Sequence, residues 1–180
     1  MAIEIRPIAT LAAKEFQDRI RNRWTIAVAG VFTAFALAIA YFGAAQQGAV
    51  GLRGVDVTIA SLVSLVIYLV PLIALMLGYD AVVGERERGS LPLLLSLPIT
   101  RFELIAGKYL GLAAALAAST IAGFGVVGIL LGVHFGAAAL GHYAGFMASA
   151  VALGLAFLSV SVLISVVAAS RVGASGMAIV

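Results

Sequence analysis

The chain contains the stretch VTIASLVSLVIYLVPLIALMLGY at residues 57–79, which carries no charge between Asp56 and Asp80. A helix needs about 20 apolar residues to cross the hydrocarbon core of a bilayer. The stretch meets this length, and its apolar residues form one continuous run rather than the alternating pattern of a membrane β-strand. Residues 57–79 therefore predict a membrane-spanning helix.

Two other uncharged stretches predict three more spans. One begins at Trp24, and the other runs from Tyr109 to Ser170, which is too long for a single crossing. The glycine-rich middle of the longer stretch contains both histidines, so we expect a turn at about 133–146. The sequence thus predicts one all-α transmembrane domain over residues 1–180. Its spans are predicted at residues 24–43, 57–79, 109–132 and 147–169.

Composition agrees with an integral membrane protein. Hydrophobic residues make up 63% of the chain, charged residues 11%, and the mean hydropathy is +1.17. Soluble domains have about 25% charged residues. The net charge of +3 is too small to argue for a nucleic-acid partner. The absence of cysteine excludes disulfides, thiolate metal sites and cysteine nucleophiles within this chain.

Basic residues predict how the chain is oriented in the membrane, because they mark the cytoplasmic side. The loop between the third and fourth predicted spans has none. The others lie before the first span (Arg6, Lys14, Arg19, Arg21, Arg23), after it (Arg53), between the second and third (Arg86, Arg88, Arg101, Lys108) and after the fourth (Arg171). We therefore expect both termini in the cytoplasm, with the loops at about 44–56 and 133–146 outside.

Residues 7–22 before the first span predict an amphipathic elbow helix. Apolar side chains recur every fourth residue at Ile8, Ala12, Phe16 and Ile20. Such a helix can anchor in the headgroup layer, or it can also contact a cytoplasmic partner.

The loop between the second and third spans combines charge with a short apolar helix. Glu85 and Arg88 are three residues apart and could pair on a helical extension of the second span, which Gly89 would end. Leu91 to Leu97 predict a short helix bounded by Pro98, and TRFE at 100–103 has the form of a capping box. The leucines must be buried either in the membrane interface or in a groove of a soluble partner.

This loop resembles the signature loop of ABC-2-type permeases. The resemblance lies in ERGSL at 87–91, LLSLPITR at 94–101 and GK at 107–108. In that family the loop, here residues 85–108, carries a coupling helix that fits into a cleft of a separate ATP-binding subunit. The resemblance implies ATPase-coupling roles for Glu85, Glu87, Arg88, Leu91, Leu94, Leu95, Pro98 and Arg101.

Further segments resemble the permease of the nitrous-oxide-reductase maturation system. They are AYFGAAQQGAVG at 40–51, ASLVSLVIYLVPLIAL at 60–75 and GERERGS at 84–90. This resemblance implies a bacterial inner-membrane complex with a dedicated ATPase, a second copy of the permease and a periplasmic β-helical partner, acting in maturation of copper centres. That family has six spans and this chain supports four, so it resembles a form without the last two.

Polar residues within the second span have two interpretations. Ser61, Ser64 and Tyr68 fall on one helical face, and they could line a substrate path or join helices by hydrogen bonds. Pro71 removes one helix hydrogen bond, so we expect a kink that acts as a hinge or is static.

The sequence offers no enzyme chemistry of its own. It has neither a nucleophile–base set nor a phosphate-binding loop, so we expect ATP to bind a partner chain. His134 and His142, eight apart without nearby sulfur ligands, make a poor copper site and favour an interfacial role. We expect no metal or cofactor in this chain. The alternatives to the copper-maturation permease are a generic ABC-2 exporter permease and a non-transporting membrane scaffold.

Overall fold

The computed structural model describes residues 5–21, 23–42, 51, 55–96 and 98–179, and the regular elements in these ranges are α-helices. In chain order they are α1 (Ile5–Ile20), α2 (Arg23–Phe42), α3 (Val55–Gly78), α4 (Val83–Glu87), α5 (Leu91–Leu95), α6 (Arg101–Phe135), α7 (Ala137–Val167) and α8 (Arg171–Ile179). The all-α architecture predicted from the sequence is confirmed.

Helix α6 lies at the centre of the bundle and packs against α1, α2 and α7, while α3 packs mainly against α7. The larger core cluster joins α2, α3, α6 and α7 around Phe32, Leu62, Phe124 and Tyr143, which are all fully buried. A second cluster lies nearer the charged end of the bundle, where Leu112 and Leu116 of α6 contact α3 and α7. These clusters fix the helices that position the loop between α3 and α6.

Three helical segments in the described ranges are long and apolar enough to cross a membrane: Val55–Glu87, Arg101–Phe135 and Ala137–Val167. The apolar part of α2, Ile26–Phe42, is shorter. The count of four spans and the position of both termini therefore stay predictions. The predicted outer loop at 44–56 lies mostly outside the described residues.

The turn between α6 and α7 is much shorter than expected. Gly136 alone separates the helices, with a φ of 85°. This conformation is readily available only to glycine, so one residue can reverse the chain where we expected a loop at 133–146. As a consequence His142 lies within α7 rather than in a loop, and α6, with 35 residues, is about 52 Å long.

Candidate functional site

The loop between α3 and α6 folds into two short helices joined by a tight turn. Helix α4 ends at Glu87, and Gly89, the predicted stop, follows the cap residue Arg88 with a φ of 73°. The amide of Gly89 donates to the Arg86 carbonyl (3.2 Å) and that of Ser90 to the Glu85 carbonyl (3.1 Å). This pair of bonds satisfies the end of α4, so the turn sets the direction in which α5 leaves the bundle.

Helix α5 presents apolar side chains to its surroundings. Leu93 is 72% exposed and Pro92 is exposed, while Leu91 and Leu94 are half-buried. The principal neighbour of α5 is α4. Leu97 and the side chain of Leu95 lie outside the described part of the structure.

The start of α6, which follows α5 in the chain, also has exposed side chains. Pro98, Arg101 and Phe102 are exposed. The predicted capping box is present: the Glu103 amide donates to Thr100 Oγ1 (3.2 Å), and the Thr100 amide donates to Glu103 Oε2 (2.7 Å). We call Pro92, Leu93, Pro98 and Phe102 the exposed apolar patch, and Arg101 lies beside it in sequence.

The charged side chains of α4 pair within the bundle instead of joining this patch. Glu85 Oε1 lies 2.7 Å from Nζ of Lys108 on α6, and Arg88 lies 3.3 Å from Asp80. The predicted Glu85–Arg88 pair was therefore wrong, because Glu85 pairs with Lys108 on α6 and Arg88, the cap residue of α4, pairs with Asp80. The predicted coupling residues fall into two groups: Glu85, Glu87 and Arg88 hold the loop to the bundle, whereas Leu91, Leu94, Pro98 and Arg101 belong to its outer part.

Lys108 connects three elements. Its side chain is only 6% exposed, and Nζ lies 3.2 Å from Glu15 Oε2 on α1 as well as 2.7 Å from Glu85 on α4. Arg19 also pairs with Glu15 (3.2 Å). A buried ammonium group is stable only when paired, so the two carboxylates fix α1 and α4 to α6.

Helix α1 reaches this position because two glycines of α6 let it approach closely. A Cβ atom on Gly107 would lie 2.6 Å from the Leu11 Cβ, and one on Gly111 would lie 2.6 Å from the Glu15 Cβ. Ile8, Ala12 and Phe16 of the predicted apolar face are half-buried, and Ile20 is exposed. The elbow helix α1 thus packs on α6. This contact within the chain was not among the two roles expected from the sequence, which were an anchor in the headgroup layer and a contact with a cytoplasmic partner.

A second group of charges joins the loop to α8. Arg171 Nε lies 2.6 Å from Asp80 Oδ1 and 3.4 Å from Glu87 Oε2, and the Arg171 amide donates to Glu87 Oε1 (2.7 Å). Between the two groups lies a polar cavity of about 320 Å³. It is lined by Glu15, Asp18, Arg19, Asp80, Ala81, Glu85, Arg88 and Lys108.

Comparison with known proteins identifies the family. The family model described as ABC-2 family transporter protein matches residues 9–180. The chain belongs to the ABC-2 transporter family. The ion-paired loop and the exposed apolar patch are therefore features of an ABC-2 chain, and the chain is a multi-pass protein of the bacterial inner membrane.

Two curated relatives of this ABC-2 chain are each named "Probable ABC transporter permease protein NosY". The relative from Pseudomonas aeruginosa is 43% identical over 174 residues, and the one from Stutzerimonas stutzeri is 40% identical over 178 residues. Each match covers 94% of this chain. The chain spans only 63% of the length of these relatives, so part of each relative has no counterpart here.

The predicted polar path does not line the interior of this ABC-2 bundle. Tyr68 is 78% exposed and Ser64 is exposed, so both face outward, and the Ser61 hydroxyl donates to the Val57 carbonyl of its own helix (2.9 Å). An apolar groove beside them is formed by Phe35, Ser64, Leu65, Tyr68, Leu69 and Leu72. Pro71 is buried inside α3, which continues through it, and its predicted hinge role stays a prediction.

The histidines and carboxylates do not assemble a metal centre in the described ranges. No group of three or more such side chains there could hold an ion. His134 and His142 are exposed, and Nδ1 of each contacts the carbonyl four residues earlier in its own helix (2.8 and 3.1 Å). Sequence reasoning missed both ion-paired groups, one around Glu15 and Lys108 and the other around Asp80 and Arg171. The one visible signal for the first group was the spacing of Gly107 and Gly111, which suits close helix packing.

Proposed function

We propose that the chain is the core of a permease subunit of an ATP-driven ABC-2 transporter, and that α5 binds a separate ATPase subunit. ATP would bind that partner, and this chain would transmit the resulting movement. The observation that carries the proposal is the exposed apolar patch, with Leu93 72% exposed on a short helix beside a charged loop. Exposed apolar side chains that occur together on one surface segment are typical of protein or membrane interaction sites.

The ion pairs behind the patch support the same role. Glu85 is paired with Lys108, and Glu87 with Arg171, so the base of the loop is attached to α6 and α8. A helix that merely rested on lipid would not need this attachment. A firmly based loop can transmit force, because it resists displacement relative to the helices behind it.

The names of the relatives and the sequence resemblance support a finer proposal. We propose that the complete protein acts in maturation of the copper centres of nitrous oxide reductase, as a homodimer together with its ATPase and a periplasmic β-helical protein. Both termini of this chain would face the cytoplasm, since basic residues cluster at the end of the bundle that carries α5. A generic ABC-2 exporter and a membrane scaffold are the alternatives.

The test replaces Leu93 with Asp in a hybrid permease, in which this chain takes the place of the matching part of a NosY relative. A charge in the apolar patch should abolish co-purification of the ATPase, because a buried unpaired carboxylate is costly. Ser96→Asp is the matched control, since Ser96 is the exposed cap residue directly after α5 and its substitution adds the same charge without removing an apolar side chain.

Two readouts separate the coarse proposal from the fine one. If Leu93→Asp retains the ATPase as Ser96→Asp does, α5 is not the docking element. The copper content of nitrous oxide reductase, measured in cells that depend on the hybrid, tests the maturation role. A hybrid that binds and stimulates the ATPase but leaves the reductase without copper points to a generic exporter.

A further inference from the structure

Hydrogen bonds between α4 and α7 satisfy backbone amides at the start of α4 and backbone carbonyls at the end of α7. The Ser165 hydroxyl of α7 accepts from the amides of Val82 (2.9 Å) and Val83 (3.1 Å), where α4 begins. In return, the Arg86 guanidinium of α4 donates to the carbonyls of Ala168 (2.7 Å) and Val166 (3.1 Å), where α7 ends. The first amides and last carbonyls of a helix have no partners within it, so each helix end here is completed by the other.

Helix α8 is joined to the same point. The Arg171 amide at its first residue donates to the Glu87 carboxylate, and the Arg171 side chain pairs with Asp80. A small apolar core lies beneath these polar contacts, in which Val83, Ala168 and Ala174 of the three segments are buried together.

The junction is also closely packed. A Cβ atom on Gly84 would overlap the Asp80 carboxylate and would lie 2.7 Å from Nη2 of Arg171. The two segments therefore approach each other at a position where no larger side chain fits. Separating them would open a cavity and leave buried amides and carbonyls unpaired, both of which are costly.

We infer that α4, the end of α7 and α8 form one rigid unit, through which a displacement of α5 reaches α7 and α8 directly. Helix α5 follows α4 across the Gly89 turn, whose two hydrogen bonds fix its direction. Ser165 and Arg86 are the positioning residues of this α4–α7–α8 unit. The inference rests on the proposed function in one respect, namely that a partner moves α5.

Distances between spin labels test this rigidity in the complete hybrid permease with its ATPase. The chain has no cysteine, so pairs of introduced cysteines carry the labels once any cysteines in the rest of the hybrid and in the ATPase are replaced. One pair replaces Ser96, the cap residue of α5, and Val172 on α8, and the reference pair replaces Ser96 and Ile26 on α2, all of which are exposed. We expect a narrow Ser96–Val172 distance distribution that is the same with and without ATP, while the Ser96–Ile26 distance shifts.

Other outcomes separate the inference from the proposed function. A Ser96–Val172 distance that shifts with ATP, or a broad distribution throughout, overturns the rigid unit. If neither pair shifts but the Ser96–Val172 distribution is narrow, the unit stands and the transmission of ATP-driven movement is wrong.

Two substitutions test the positioning residues. Ser165→Ala and Arg86→Gln should each broaden the Ser96–Val172 distribution, and Ser165→Ala should speed hydrogen exchange of the Val82 and Val83 amides about tenfold, because they lose their acceptor.

Ser159→Ala is the matched control, since its exposed hydroxyl bonds only to the Ala156 carbonyl of its own helix (2.6 Å) among the described contacts. Arg86 is exposed, so the Ser96–Val172 distance distribution can be measured in Arg86→Gln even if Ser165→Ala does not fold. If both variants keep a Ser96–Val172 distance distribution as narrow as that of the unsubstituted protein, Ser165 and Arg86 do not position the α4–α7–α8 unit.

Discussion

At the scale of single residues, Lys108 shows how a cation near the membrane can organise its surroundings. Its ammonium group lies within 3.2 Å of Glu15 and 2.7 Å of Glu85, and the side chain is 6% exposed. In such surroundings an unpaired charge costs several kcal/mol, on the order of the stability of many small proteins. The three charges should therefore behave as one group.

Replacing Lys108 with Met should destabilise the chain by about 3 kcal/mol, because it leaves Glu15 and Glu85 close together without a cation. Thermal unfolding of the purified protein in detergent measures the effect. Lys14→Met on the exposed side of α1 is the control and should change little. Adding Glu85→Gln to Lys108→Met should recover part of the loss; no recovery would mean that the charges do not act together.

Local residue patterns were predictable, and distant pairs were not. The Thr100–Glu103 capping box and the Gly89 turn each depend on residues a few positions apart, and both are confirmed. Glu15 and Lys108, in contrast, are 93 positions apart. Sequence reasoning instead paired Glu85 with its near neighbour Arg88, because it had no means of knowing which helix would lie beside α4.

At the scale of elements, the contact between α1 and α6 depends on glycine. Gly107 and Gly111 are four residues apart and lie on the same face of α6, so Leu11 and Glu15 of α1 can rest directly on its backbone. Small residues at such spacing are the usual means by which membrane helices approach closely. The approach brings Glu15 within reach of Lys108, so packing and charge act together.

Gly111→Ala should push α1 away from α6. The added Cβ would lie 2.6 Å from the Glu15 Cβ and 2.7 Å from the Ala12 carbonyl oxygen, and overpacking of this kind costs about 1–3 kcal/mol. Hydrogen exchange of the α1 amides should become faster. Gly125→Ala, in the same helix with nothing within 4 Å of its Cβ, should instead be neutral or stabilising. Equal behaviour of the two variants would contradict this account.

Helix positions were predictable because long apolar runs in lipid have few alternatives. The length of the turn between α6 and α7 was not, since the sequence around it contains several glycines and alanines and any of them could have formed a loop. The structure uses one residue, Gly136, and continues both helices up to it. The predicted span at 109–132 lies within α6, and the one at 147–169 lies within α7 except for its last two residues, which follow the end of α7 at Val167.

At the scale of the whole molecule, charge is distributed unequally between the two ends of the bundle. One end carries Arg88, Arg101 and Lys108 together with α1 and α8, whereas the sequence from Tyr109 to Ser170, which includes the Gly136 turn, has no Lys or Arg. The positive-inside rule predicts that the basic end lies in the cytoplasm.

Single cysteines test this orientation directly. In intact cells, a membrane-impermeant maleimide added outside should label Ala137→Cys and leave Ser96→Cys unlabelled until the cells are opened. Both positions are exposed, so access depends on the side of the membrane. Labelling of Ser96→Cys in intact cells would reverse the assigned orientation.

The one-residue turn at Gly136 has a mechanical consequence. Helices α6 and α7 are joined there by a single residue. The Lys108–Glu85 ion pair attaches α6 to α4, and the Ser165 hydroxyl attaches α7 to the start of α4 by hydrogen bonds. The three attachments form a triangle whose two long sides are helices and whose short side is α4. A triangle of stiff members, unlike a four-sided frame, resists shear, so a displacement of any one corner must carry the other two with it.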